Sequence, residues 1–138
     1  GKLEPDEWEV MKKHTEFGAK ILEGATIDFL RLGEEIAMTH HERWDGTGYP
    51  KGLAGDRIPL AGRIVAVVDV FDALVSKRPY KEPYPLDRSL SIIREGAANH
   101  FDPNVVDAFF FVLKEVLSVQ RRYTQEGRSH LFKLAVER

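Results

Sequence analysis

The run IVAVVDVFDALV, Ile64 to Val75, is apolar on nearly every side and is broken only by Asp69 and Asp72. Such a segment reads as a largely buried element. Its two acids lie three residues apart, which places them on one face of a helix. A buried carboxylate is costly unless it is paired or bound to a cation. The competing reading is a buried parallel strand over RIVAVVDVF in an α/β sheet. The apolar run continues through Ala73, Leu74 and Val75, however, and no second strand of that kind occurs, so a helix in an all-α fold is predicted.

The flanking segments read as partners for that helix. LEPDEWEVMKKHTEFGAKILEG has a proline and acids where a helix starts and a glycine where it stops. Trp8, Met11, Gly18, Ile21 and Leu22 recur on one stripe that also carries His14, and this stripe is predicted to face the core. A second helix is predicted from about Leu30 to Trp44, with Ile36 and Ala37 inward and His40 and His41 one turn on. Beyond the proline-broken KRPYKEPYP, a helix is predicted over Leu86 to Ala98. Another is opened by Asp102 as N-cap and Pro103 as first residue, with Val106, Phe109, Phe110, Leu113, Val116 and Leu117 as packing residues. One domain over residues 1–120 is expected, with 121–138 as its C-terminal extension, helix or strand.

Between the second helix and the central one lies WDGTGYPKGLAGDRIPLAG, a loop with glycines at 46, 48, 52 and 55 and a turn signal at Asp45-Gly46. It lacks the lysine and spacing of a nucleotide P-loop. The chain has no cysteine. Thiolate ligands, thiol nucleophiles and disulfides are excluded, a reducing compartment fits, and any ion must be held by histidine and carboxylate. With 138 residues the core needs no metal staple, so a metal here serves chemistry. No membrane span or signal peptide is visible, and a cytoplasmic location is expected. The net charge of −2 speaks against binding a nucleic acid polymer, but residues 51–81 are locally +3 and the remainder −5. That distribution suits a small phosphorylated ligand.

Each histidine alone reads as a hydrogen-bonded core residue. Together, His14, His40, His41 and one or both aspartates fall on inward faces of three predicted helices, as in metal sites of helical bundles. Nitrogen and oxygen donors suit Fe, Mn, Zn, Co or Ni. Adjacent positions on a helix diverge by about 100°, so His40 and His41 suit a broad or binuclear site better than a tight one. Paired ions activate water and neutralise an attacked phosphate, which is the chemistry of phosphoester hydrolysis.

HHERWDGTGYPKGL, followed by IPLAGRIVAVVDVFDALVSKRPYK and then HFDP, resembles the HD-GYP domains of bacterial signalling proteins, a branch of the all-helical HD phosphohydrolase superfamily. The likeness runs from about Gly1 to Leu117. It implies a bundle of the HD-domain type, with the GYP loop between the second and third helices of this chain. It also implies a phosphodiesterase that hydrolyses cyclic di-GMP to pGpG or GMP, with two or three divalent ions, iron or manganese foremost. Carried over by position, it makes His14, His40, His41 and Asp69 metal ligands and puts Asp72 beside Asp69 in the catalytic site. Arg78 and Lys81 become phosphate-binding residues. Gly48, Tyr49 and Pro50, after Gly46 and Thr47, form the loop for substrate access and for docking a diguanylate cyclase (GGDEF) domain.

No His-Asp dipeptide occurs in the sequence, although the superfamily is named for one, in a stretch like HDIGK upstream of the first helix here. We therefore expect a fragment lacking the domain's N-terminal helices rather than a degenerate partner-binding module. As it stands, the chain is expected to be inactive and to hold metal weakly, or as a single ion near His14, His40 and His41.

Overall fold

The computed structural model describes residues 4–77 and 82–123. Among these the chain is helical and has no strand. The elements are α1 (Pro5–Lys12), α2 (His14–Leu22), α3 (Asp28–Thr39), a single 3-10 turn (Gly55–Arg57), α4 (Leu60–Val75), α5 (Leu86–Glu95) and α6 (Pro103–Phe111), with helix again over 113–123. Leu60–Val75 is one continuous helix, so the strand alternative falls. No helix among the described residues is long and apolar enough to cross a membrane.

The predicted helix over Leu86 to Ala98 stops at Glu95 and the last one breaks after Phe111, and two further early ends lie at the site. The first is split at Lys13. There the Thr15 hydroxyl donates to the Lys12 carbonyl (2.9 Å) and the His14 ring to the Met11 carbonyl (2.6 Å). Side chains thus engage the two carbonyls that the next helical turn would use. The glycine-rich loop consequently follows α3 and precedes α4, the third and fourth helices rather than the second and third. The other predicted helix stops at Thr39 instead of Trp44. Thr39 is buried, and a Cβ on Gly62 of α4 would collide with its side chain, so α3 and α4 approach closely at this point. Beyond it the chain turns, and Glu42 enters the interior.

Residues Gly1–Val106 form one compact unit and Asp107–Arg138 a second. In the first, α2 packs on α3, α3 on α4 and α4 on α5. Its core is built from Ala66, Val67 and Phe71 of α4 with Ala19, Ile58, Ile93, Phe101, Val105 and Val106. In the second, Phe109 is buried and packs edge-on against Phe110. Asp102 caps α6 as predicted, its Oδ1 accepting the Asn104 N–H at 2.8 Å, while Oδ2 holds Nη1 of Arg63 at 2.8 Å. The stripe assigned to the core at the N-terminus is not buried: Trp8 is 44% exposed, Met11 50% and Ile21 83%. Helical spacing determines which residues share a face; it does not determine what covers that face.

Candidate metal centre

His14 opens α2, His40 caps the end of α3, and His41 follows it. One nitrogen from each ring lies within 4.8 Å of the other two. Ring centroids are 5.7 Å apart for His14 and His40, 4.9 Å for His14 and His41, and 4.1 Å for His40 and His41. The adjacent pair sits at the very end of α3, where His40 still has helical backbone angles (φ −68°, ψ −12°), and its two rings nonetheless come to 4.1 Å.

The tautomers also favour a ligand. His14 Nδ1 donates to the Met11 carbonyl (2.6 Å), and His40 Nδ1 donates to the carbonyls of Ile36 (2.9 Å) and Ala37 (3.1 Å). A ring whose Nδ1 carries the proton presents its lone pair at Nε2, and the backbone contact fixes the ring's orientation. His41 is pushed down to about 4. Burial is the first cause, followed by the neighbouring His40 and His14, with Asp69 pulling weakly the other way. It is therefore a neutral donor at physiological pH. Three imidazole nitrogens at this spacing fit a first-row divalent ion. The site is more open than predicted, since His14 is exposed and His40 and His41 are half-buried.

The loop closes over one side of this cluster. Tyr49 stacks on His41 with centroids 4.9 Å apart and planes 25° from parallel, and lies 6.5 Å from His14. Burial and the Asp69 charge raise the Tyr49 hydroxyl above its usual value. The Tyr49–Pro50 peptide is cis. Gly48 is required sterically: a Cβ there would strike the backbone of Arg43, His41 and Glu42. Asp45 ties the loop's entry, its Oδ1 accepting the Thr47 N–H (2.9 Å) and hydroxyl (2.6 Å). These hydrogen bonds hold the Asp45 carboxyl below the usual range. The HFDP turn braces the same loop, because the N–H groups of Trp44 and Asp45 donate to the carbonyls of His100 (3.1 Å) and Asn99 (2.9 Å).

Asp69 and Asp72 do lie on α4, but both are exposed rather than buried. Asp69 is near enough for its charge to act on His41 and Tyr49. Asp72 accepts a hydrogen bond from the Ser76 hydroxyl at 3.0 Å. Arg78 and Lys81 lie outside the described residues. One residue of the loop machinery was missed in the sequence: Glu42, 2% exposed, whose two carboxylate oxygens accept the N–H groups of Lys51 (2.7 Å) and Leu53 (2.9 Å). Its only signal there is its place after the histidine pair.

A family model described as an HD domain matches residues 1–105. A cyclic di-GMP phosphodiesterase of Thermotoga maritima is 50% identical over 130 residues, covering 94% of this chain and 35% of that protein. A 3'3'-cGAMP-specific phosphodiesterase of Vibrio cholerae is 42% identical over 120 residues, covering 87% of this chain and 23% of that protein. The chain thus spans about a third or less of these curated relatives. The crystal structure of a cyclic GMP-AMP specific phosphodiesterase of V. cholerae superposes with a TM-score of 0.62 at 20% identity, over 84% of this chain and 27% of that one, and shares the fold. With the HHERWDGTGYP loop set against three convergent imidazoles, the chain belongs to the HD-domain family, in its HD-GYP branch.

Proposed function

We propose that this domain is a metal-dependent phosphodiesterase that opens a cyclic dinucleotide, cyclic di-GMP foremost, to pGpG or GMP in bacterial cytoplasmic signalling. The observation that carries this reading is the convergence of His14, His40 and His41 within 4.8 Å, in a chain half identical to a cyclic di-GMP phosphodiesterase. These three imidazoles, with Asp69, are the residues to hold divalent metal, iron or manganese foremost. When bound, such an ion supplies Lewis-acid polarisation and neutralises phosphate charge. Asp69 and Asp72 supply the negative edge of the site, and Arg78 and Lys81 are the residues proposed to hold a substrate phosphate. The Tyr49 loop borders the imidazoles and is the element proposed for substrate access and for docking a diguanylate cyclase domain.

The test is product analysis with the full-length gene product, cyclic di-GMP and Mn²⁺ or Fe²⁺. Formation of pGpG or GMP, lost in His40→Ala, supports the assignment. A metal-loaded protein that leaves cyclic di-GMP intact overturns it.

A further inference from the structure

Helix α1 is an unusual element, because none of its residues is buried. It nevertheless carries a tryptophan, the residue with most to gain from burial. Trp8 and Lys12, one helical turn apart, share a face and both reach the Tyr49 ring. The Trp8 ring meets Tyr49 edge-on at 6.2 Å, and the Lys12 ammonium lies 6.0 Å from the Tyr49 centroid. Tyr49 already stacks on His41, and beside it Trp8 is 44% exposed. Lys12 pairs with Glu9, but the Glu9 side chain is 69% exposed, and a pair at the surface of this kind holds its partner weakly. An open indole face, a cation and a cluster able to bind metal therefore stand in succession around one tyrosine.

From this we infer that Trp8, Lys12 and Tyr49 form the subsite for one purine nucleotide unit of the substrate. Trp8 stacks the base, Lys12 faces the phosphate on the same nucleotide, and Tyr49 separates the base from the imidazole cluster. The inference rests on the phosphodiesterase reading and adds residues that the sequence reading did not assign. Stacking on an indole is tolerant of base identity, so the subsite accepts a purine without choosing between guanine and adenine.

The test is calorimetric titration of the full-length gene product, loaded with Mn²⁺, with the hydrolysis-resistant bisphosphorothioate of cyclic di-GMP and separately with inorganic phosphate. Trp8→Ala is expected to weaken the cyclic dinucleotide about tenfold, the scale of one base–aromatic stack, and to leave inorganic phosphate and the melting temperature unchanged. Trp8→Phe is expected to recover most of the loss. Lys12→Met is expected to weaken both ligands and flatten the salt dependence. Unchanged cyclic dinucleotide affinity in Trp8→Ala, or an equal loss for inorganic phosphate, overturns the base site. Unaltered salt dependence in Lys12→Met removes the phosphate contact. If the unsubstituted full-length protein binds inorganic phosphate but no cyclic dinucleotide, the phosphodiesterase reading itself falls, and the subsite with it.

Discussion

The carboxylate of Glu42, buried at 2% exposure, accepts the backbone N–H of Lys51 at 2.7 Å, nine residues further on. Its second oxygen accepts the Leu53 N–H at 2.9 Å. One side chain thus cinches the whole loop that carries Tyr49. Glu42→Ala would leave two N–H donors without their partner and is expected to cost about 3 kcal/mol. Glu42→Gln keeps one acceptor oxygen and should cost about half as much. Urea denaturation checks both, and equal stability of the alanine variant would mean that the loop holds itself.

Gly48→Ala probes the same loop from its other side. The added Cβ would meet backbone atoms of Arg43, His41 and Glu42, which cannot rotate away as a side chain could. A loss of about 2–3 kcal/mol is expected. Gly24→Ala is the control, having nothing within 4 Å and only its positive φ of 78° to lose, and should cost about 1 kcal/mol. The two substitutions compared by thermal melting separate collision from backbone strain.

Arg63 and Asp102, 39 residues apart, join α4 to the start of α6 through a 2.8 Å contact. The Asp102 side chain is almost fully buried and that of Arg63 is 16% exposed. Asp102→Asn preserves the N-cap while removing the charge, so it isolates the ion pair. A loss of about 2–3 kcal/mol is expected, short of a fully buried pair because Arg63 keeps Asp56. Arg63→Met combined with Asp102→Asn should cost less than the sum of the two single changes. Strict additivity in denaturant melts would show that the two side chains do not act as a pair.

The central helix and the α6 cap were legible because their signals are local: an apolar run too long for a strand, and Asp-Pro at a helix start. The three histidines were legible only as a set of residue types. That His40 and His41 bring their rings to 4.1 Å was hidden, since sequence spacing gives backbone direction and not the side-chain rotamer. Glu42 was missed for a related reason. Its partners are backbone N–H groups, and a sequence carries no mark of which amide lacks a partner. The N-terminal stripe was misjudged in the opposite direction, because the periodicity of Trp8, Met11 and Ile21 is real but these residues are exposed.

Stability should fall in mild acid. His100 is pushed down to about 4, chiefly by burial and then by Arg43, against a weaker upward pull from Asp45. Its ordinary value is 6.5, so below that pH the unfolded chain takes up a proton that the folded chain refuses. Stability is therefore lost as pH drops from about 6.5 towards about 4, and His41 acts in the same direction. In metal-free buffer, His100→Gln should flatten the fall in melting temperature across this window. An identical profile in the variant would assign the whole effect to other groups.

Metal should stabilise this chain, and the imidazoles define how. His41 is already neutral above about pH 5, so an ion binding there displaces no proton from it at pH 7. Mn²⁺ or Zn²⁺ at a hundredfold excess over its dissociation constant should add about 2.7 kcal/mol to stability, reversed by EDTA. Elemental analysis should find one ion per chain, since the three nitrogens that converge within 4.8 Å frame one position. His14→Ala should abolish both readouts, because it removes the donor that α2 contributes opposite the His40–His41 pair. His100→Gln, outside the triad, should leave the metal-induced shift intact. Two tightly held ions, or a thermal shift that survives in His14→Ala, would place the metal elsewhere than among these rings.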